Sequence, residues 1–132
     1  MYRIYDNKEK KWVREGIYLS PNNDLYILKK SLFGIEKLYL VSEHQYIYHR
    51  DIELNDMNNR LIFEGDICKI EHINVIGIIT YIPEHASYYL LDEENLKYYP
   101  LSEERCRQIE VIGNVFDNKD LLSSENNVEE GE

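Results

Sequence analysis

The chain lacks the sequence patterns on which many enzymes depend. Its 132 residues contain no Gly-x-Gly-x-x-Gly, no phosphate-binding Gly-Lys-Ser/Thr loop and no Gly-x-Ser-x-Gly. The histidines His44, His49, His72 and His85 never have the spacing His-x-x-x-His, and the cysteines lack zinc-site spacing. Nucleotide-dependent, acyl-transfer and zinc chemistries are therefore disfavoured. We expect a non-enzymatic protein without cofactor or metal.

A metal held on a strand is the alternative that the histidines leave open. His44 or His49 would bind it together with Asp51. Exposed polar side chains at alternating strand positions are the simpler explanation of this pattern.

The chain also lacks long apolar runs and has only two cysteines. No run approaches the ~18 residues that span a membrane, and the N-terminal segment has no signal-peptide core. We therefore expect a cytoplasmic protein that does not bind membranes, with Cys68 and Cys106 as thiols. Arg105 and Arg107 flank Cys106 and would lower the pKa of its thiol. A small buried residue is the favoured interpretation, since no activating group lies at a suitable spacing.

Positive charge is scarce, because the chain has 15 Lys and Arg residues but 25 Asp and Glu residues, which gives a net charge of −10. Nucleic-acid backbones repel such a field, since their affinity for proteins comes mainly from Lys and Arg. The densest basic stretch, Lys8 to Arg14, is interleaved with Glu9, which is typical of a solvated turn. Nucleic acid is therefore the less favoured partner.

Tyrosine, by contrast, is abundant, with 12 Tyr against three Phe and one Trp, and favours half-buried strands. Short apolar or alternating runs predict strands at 2–5, 12–13, 17–19, 25–28, 38–41, 44–49, 61–63, 67–70, 75–82, 88–91, 96–101 and 109–116. The pattern predicts an all-β protein with a small β-meander in 1–54 and an SH3-like small β-barrel in 55–122. The acidic segment 123–132 has too little apolar surface to order itself, and we expect a flexible tail.

Three further segments carry local predictions. Ser102 is predicted to cap a helical or 3₁₀ turn, with Glu103 and Glu104 favouring its N-terminus. The polar segment 51–60 is expected to be turn-rich, with positive backbone φ at Asn58-Asn59 before the next strand. The apolar run 75–82 predicts burial on both faces, and Gly77 within it marks a bulge or a close backbone approach.

Glu64-Gly65-Asp66 and Gly113-Asn114 are predicted to be turns or kinks beside strands. Gly65 would supply an unusual dihedral, and Asp66 would accept backbone N–H groups. Gly113-Asn114 is predicted to form a bulge, with Asn114 bonding to the 64–66 turn. The functional alternative is an enzyme that uses the carboxylates of Glu64 and Asp66.

Five tyrosines, Tyr81, Tyr88, Tyr89, Tyr98 and Tyr99, form the candidate binding surface. Aromatic side chains on small barrels stack bases or peptides. Cross-strand packing or a subunit interface is the favoured interpretation, because no basic residues accompany them.

Three segments in order resemble a known family. They are Tyr2 to Asp6 with Trp12-Val13, then Asn55 to Ile67, then Glu110 to Asn118 with Leu121-Leu122. Their combination is similar to the YopX family of phages and prophages of Gram-positive bacteria, with Asn59 where that family often has Gly and Lys119 where it often has Pro. The resemblance implies an oligomeric, all-β accessory protein and transfers no catalytic activity or cofactor.

We therefore expect an interaction module that self-associates and binds a host or phage protein. The alternative is a small-barrel nucleic-acid-binding protein in phage replication or regulation. Self-association is expected around Tyr46, Ile47 and Tyr48, because short strands leave edges that need protection.

Overall fold

The structure is a computed structural model, and it describes residues 1–14, 16–22, 24–30, 32–40 and 46–122. The chain is all-β, as predicted, since these ranges contain twelve strands, one short helix and three 3₁₀ turns. It divides into two compact units, Met1–Arg50 and Asp51–Glu132. The predicted tail 123–132, His44 and the predicted strand end at Val41 lie outside the described residues.

The first unit consists of short antiparallel strands. They are β1 (Tyr2–Asp6), β2 (Lys11–Val13), β3 (Ile17–Leu19), β4 (Leu25–Lys30), β5 (Glu36–Leu40) and the first half of β6 (Tyr46–Asn55). Strand β1 lies between β2 and β6, while β3, β4 and β5 form a meander in that order. Asp6 closes the first hairpin, because its Oδ1 accepts the N–H groups of Lys8 and Glu9 at 3.0 Å each.

The core of the first unit is small. Its buried members are Ile4, Leu25, Ile27 and Tyr46, with Val13 packed against them. Leu25 and Ile27 are two residues apart on β4 and therefore lie on the same face of the meander. That face is the covered one.

The second unit contains a five-stranded sheet. The elements of this unit after β6 are β7 (Leu61–Phe63), β8 (Asp66–Ile70), β9 (Val75–Ile82), β10 (Ser87–Asp92), β11 (Lys97–Pro100), helix α1 (Glu103–Cys106) and β12 (Ile109–Asn114). The sheet order is β11-β10-β9-β8-β12, so the chain makes a meander and then returns to pair β12 with β8. This strand order, with a helical turn (α1) before the returning strand β12, is that of an SH3-like barrel. The 3₁₀ turns are Glu71–Ile73, Pro83–His85 and Lys119–Leu122.

The core of the second unit lies against one face of this sheet. Its buried members are Ile52, Ile62, Cys68, Ile70, Ile79, Leu90, Cys106, Ile109 and Val111. Ser102 caps helix α1 as predicted, because its Oγ accepts the N–H of Arg105 at 3.0 Å. No helix in the described residues is long and apolar enough to cross a membrane.

The segment 51–60 differs from the prediction in its first half. Residues 51–55 continue strand β6 instead of forming turns. Ile52 and Leu54, two residues apart, both pack on the core of the second unit, and Glu53 between them has a φ of +64°. The turn begins only at Asp56, and Asn59 has the predicted positive φ, +62°.

Strand β9 is buried on one face and only partly covered on the other. Gly77 and Ile79 are buried, whereas Ile76 is 37% exposed, so the prediction of burial on both faces was wrong. The predicted close approach at Gly77 is present. A Cβ on this residue would lie 2.4 Å from the carbonyl oxygen of Leu91.

Candidate functional site

The second and third family-like segments meet through Asp56. Its carboxylate is buried, and Oδ1 accepts the N–H groups of Asn58 at 2.9 Å and Arg60 at 2.8 Å. Oδ2 accepts the N–H of Val111 at 2.9 Å, and the N–H of Met57 donates to the carbonyl oxygen of Ile109 at 2.9 Å. One side chain thus closes the β6–β7 turn and fastens it to β12. Sequence reasoning gave Asp56 no role, although Asp-x-Asn-Asn, the sequence of residues 56–59, is a typical turn signal.

The 64–66 turn is a second junction between these segments. Gly65 has a φ of +78°, and Oδ2 of Asp66 accepts the N–H of Phe63 at 2.8 Å, as predicted. The N–H of Gly65 donates to the carbonyl oxygen of Ile79, and its own carbonyl accepts the N–H of Val115, both at 2.9 Å. Asp66 is only 2% exposed. The geometry therefore assigns Asp66 a structural task within this turn.

The predicted bulge at Gly113-Asn114 is present, because the pairing of β12 with β8 shifts register between Val111 and Gly113. The Asn114 side chain does not turn toward residues 64–66 as expected. Its Oδ1 accepts the N–H groups of Phe116 and Asp117 at 3.0 Å each. The backbone of Asn114 nevertheless lies opposite Asp66 in the pairing of β12 with β8, and the N–H of Val115 donates to the carbonyl oxygen of Gly65.

The five candidate tyrosines lie on two faces of the sheet. Tyr88 pairs with Tyr81 and Leu90 pairs with Tyr99, and Leu90 belongs to the core, so these three tyrosines share the inner face. Tyr89 and Tyr98 lie on the outer face, with ring centroids 6.1 Å apart. The Tyr81 and Tyr88 rings meet edge to face at 5.0 Å. The structure therefore forms tyrosine pairs across strands and does not bring all five together.

Both cysteines are buried thiols. Burial, together with the nearby carboxylate of Asp56, raises the pKa of Cys106 to about 11. The pKa of Cys68 is raised even further by burial. The flanking arginines therefore do not activate Cys106, and the interpretation as a small core residue holds.

His49 lies on β6 directly opposite Arg3 of β1. Burial, and then the positive charge of Arg3, lowers the pKa of His49 to about 4. The ring is therefore neutral at pH 7. Within the described residues, no group of three or more His, Cys, Asp or Glu side chains is placed to hold a metal ion.

His49 is expected to make the folded state sensitive to acid. His49 takes up a proton near pH 6.5 in the unfolded chain, but only near pH 4 in the folded chain. The neutral ring therefore contributes fully to the free energy of unfolding above pH 6.5. This contribution is lost as the pH falls from 6.5 to 4. Solvent screens the partly exposed ring, and we expect a loss of about 1–2 kcal/mol. Urea unfolding at pH 7 and pH 4 should show a smaller pH dependence in His49→Gln than in the natural chain. His72→Gln, an exposed histidine, is the control; an equal effect of both changes would contradict the assignment.

The predicted interface residues on β6 have unequal environments. Tyr46 is only 8% exposed and packs in the core of the first unit. Tyr48 is 50% exposed, and its ring lies 5.8 Å from that of Tyr2. Ile47 is half-buried. Tyr46 is thus occupied by the core, and a partner would meet only Tyr48 and Ile47.

A larger apolar surface lies on the meander of the first unit, where sequence reasoning placed no site. Tyr18 pairs with Tyr26, Tyr26 with Leu40, and Leu28 with Leu38, so all five residues share one face. This is the face opposite the buried Leu25 and Ile27. The exposed fractions are 51% for Tyr18, 56% for Leu38 and 63% for Leu40. We call these five residues the meander face.

The β4–β5 turn carries three further exposed apolar residues. Leu32 is 101% exposed, Phe33 91% and Ile35 65%. At about 200 Å² for a fully exposed large side chain, the turn and the meander face together expose roughly 800 Å² of apolar residues. The largest apolar patch of a typical monomer is about 300–600 Å². Added together, the turn and the meander face therefore expose more apolar area than the largest single patch of a typical monomer.

The family described as YopX protein matches residues 1–123. The chain belongs to the YopX family. No curated protein matches it. The match includes all three segments that suggested the family, from the first hairpin to the turn that carries Leu121 and Leu122.

Two solved structures share the fold. YopX from Bacillus subtilis is 15% identical with a TM-score of 0.59, over 92% of this chain and 97% of that one. The protein EF1440 from Enterococcus faecalis is 23% identical with a TM-score of 0.54, over 92% of this chain and 96% of that one. At these identities the likeness concerns the fold alone.

Proposed function

We propose that this YopX-family chain is a non-enzymatic interaction module that works as a homo-oligomer, an accessory protein of a phage or prophage in the cytoplasm of its host. The observation that carries the proposal is the exposed meander face with its apolar turn. A second copy of the chain offers the same surface, so two such faces are complementary to each other in polarity. The exposed area is close to the about 800 Å² that each partner buries in a stable interface.

Two features of the second unit support a non-catalytic role. The buried carboxylates of Asp56 and Asp66 bind backbone N–H groups within turns. Both thiols are buried, and their pKa values are raised above the range of catalytic nucleophiles. Of the candidate catalytic groups, Asp66 and the Cys106 thiol are thus engaged in holding the fold.

The nucleic-acid alternative has less support. A stacking platform requires aromatic rings on one accessible face with cations along it. Here the candidate tyrosines divide between two faces, and the chain carries a net charge of −10. A gel shift with single- and double-stranded DNA at low salt tests this alternative directly.

Light scattering of the natural chain at micromolar concentration should give a mass well above 15.9 kDa. The double change Leu38→Glu with Leu40→Glu should reduce it to the monomer mass, because two carboxylates cannot be buried in an apolar contact. Leu96→Glu with Met57→Glu is the matched control, since these apolar side chains are also exposed, at 84% and 46%.

A monomeric natural chain would refute the homo-oligomer. If the Leu38/Leu40 variant stays folded by circular dichroism and still associates, the interface lies outside the meander face. Loss of association in the control variant as well would indicate a general effect of added negative charge.

A further inference from the structure

A cavity of about 380 Å³ lies beside the five-stranded sheet, where β9 begins and the neighbouring strand β10 ends. Its apolar walls come from the start of β9, the end of β10 and the last 3₁₀ turn, namely Val75, Ile76, Leu91, Leu121 and Leu122. Its polar rim comes from the loops on either side, namely Asn74, Asp92, Glu93, Glu94 and Asn95. Among the residues that the structure describes, every charged residue lining the cavity is acidic.

Hydrogen bonds hold the elements around the cavity. The carboxylate of Asp92, only 4% exposed, accepts the side-chain N–H of Asn95 at 2.9 Å and closes the β10–β11 turn. The N–H of Leu121 donates to the carbonyl oxygen of Asn118 at 2.9 Å, which positions the 3₁₀ turn. Glu93 and Glu94 remain exposed at the rim. The cavity is therefore preformed, and its two outer carboxylates face solvent.

We propose that this cavity binds a short cationic amphipathic segment of a partner protein. A Leu- or Ile-sized side chain of the segment packs against Ile76, Leu91 and Leu121. Lys or Arg residues on either side of it pair with Glu93 and Glu94. The site lies in the second unit and is thus a different surface from the meander face.

The chemistry of the cavity selects this occupant. Ile76 and Leu121 are 37% and 38% exposed, so an apolar side chain placed there removes exposed apolar area from water. The acidic rim and the net charge of −10 attract a cation and repel an anionic ligand. The nearest cations in sequence, Lys97 and Lys119, are not among the lining residues. The volume suits one or two side chains, and the rest of the segment would lie on the surface.

Fluorescence polarisation with a labelled Lys-Leu-Arg-Leu-Lys peptide tests the proposal at near-physiological salt. The natural chain should bind this peptide at least tenfold more tightly than Lys-Ser-Arg-Ser-Lys and should not bind Glu-Leu-Glu-Leu-Glu. Glu93→Lys with Glu94→Lys should weaken binding at least tenfold. Glu103→Lys with Glu104→Lys, exposed acids on α1, makes the same change of net charge and should alter affinity less than twofold.

Ile76→Ser tests the apolar wall separately and should also weaken binding of the leucine peptide. Amide chemical shifts on titration should change mainly at residues 74–76, 91–95 and 121–122. Equal losses in both charge variants would overturn the proposal, because attraction would then come from the general field. Absence of binding up to about 1 mM peptide, or equal affinity for the leucine and serine peptides, would also overturn it.

Discussion

Asp56→Ala is expected to lower the free energy of unfolding by about 3–5 kcal/mol. The change removes three hydrogen bonds from a buried carboxylate to the backbone N–H groups of Asn58, Arg60 and Val111. Bonds to a charged acceptor contribute about 1.5–3 kcal/mol each, and the N–H of Val111 would be left without this acceptor beside the core. A domain of this size is stable by only about 5–15 kcal/mol. The variant should therefore be close to unfolding at room temperature.

Urea unfolding followed by circular dichroism measures the effect. Asp92→Ala is the matched control. Asp92 is equally buried, but within the described part of the chain its side chain accepts hydrogen bonds from Asn95 alone, in the same turn. Asp56→Asn should lower the free energy of unfolding less than Asp56→Ala, because the amide oxygen can still accept N–H groups of the turn. The amide nitrogen, however, cannot accept the N–H of Val111. A loss below about 1 kcal/mol for Asp56→Ala would show that the junction does not hold β12 to the β6–β7 turn.

The second and third family-like segments thus contain the hydrogen bonds that join the turns of the second unit to its strands. Asp56 binds the β6–β7 turn to β12, and Gly65 links the 64–66 turn to β9 and to Val115. Asp56 and Gly65 set the backbone geometry at these places, and this gives the two segments a structural role. What distinguishes the function of this chain should therefore be sought on its exposed surfaces.

Local backbone chemistry was the part of the fold that sequence predicted best. Positive φ at Gly65 and Asn59, the Ser102 cap and the bulge at Gly113 each follow from a property of one residue and its neighbours. Asp51 to Asn55 escaped prediction because the apolar pair Ile52 and Leu54 stands between polar residues. Its place in a strand depends on a core that residues distant in sequence supply.

The candidate surfaces could not be ranked from sequence. Both faces of β4 carry large apolar side chains, Leu25 and Ile27 on one and Tyr26 and Leu28 on the other. Only the packing of Ile4 and Tyr46 decides which face is covered. The adjacent residues Tyr88 and Tyr89 likewise point to opposite faces because a strand alternates, so a cluster in sequence became two pairs in space.

Cys106 shows how burial outweighs a sequence neighbour. Arg105 and Arg107 suggested a lowered pKa, yet the thiol is 1% exposed and Asp56 is the charged group that acts on it. The Arg105 side chain lies over the ring of Tyr99 instead, 5.8 Å from its centroid. Adjacent positions on a short helix point in different directions, so sequence proximity did not predict contact.

Gly77→Ala is the second change with a large expected effect. The first atom of the new side chain would lie 2.4 Å from the carbonyl oxygen of Leu91 and 2.5 Å from Cδ2 of Leu90. The nearer of these atoms belongs to the backbone of β10, which is paired with β9 and cannot move without breaking the sheet. We expect a loss of about 3 kcal/mol or more in the free energy of unfolding, or failure to accumulate as soluble protein.

Two further variants separate a steric cause from a dihedral one. Gly34→Ala adds a Cβ at a φ of +82°, but its nearest neighbour is Cε of Lys30 at 3.9 Å, so it should cost only about 1–2 kcal/mol. Leu90→Val shortens the side chain that Gly77→Ala would meet, yet leaves the Leu91 carbonyl in place. The double variant should therefore recover little stability. Substantial recovery would mean that the Leu90 side chain, and not the β10 backbone, limits position 77, and equal losses for Gly77→Ala and Gly34→Ala would contradict the close approach of the two strands.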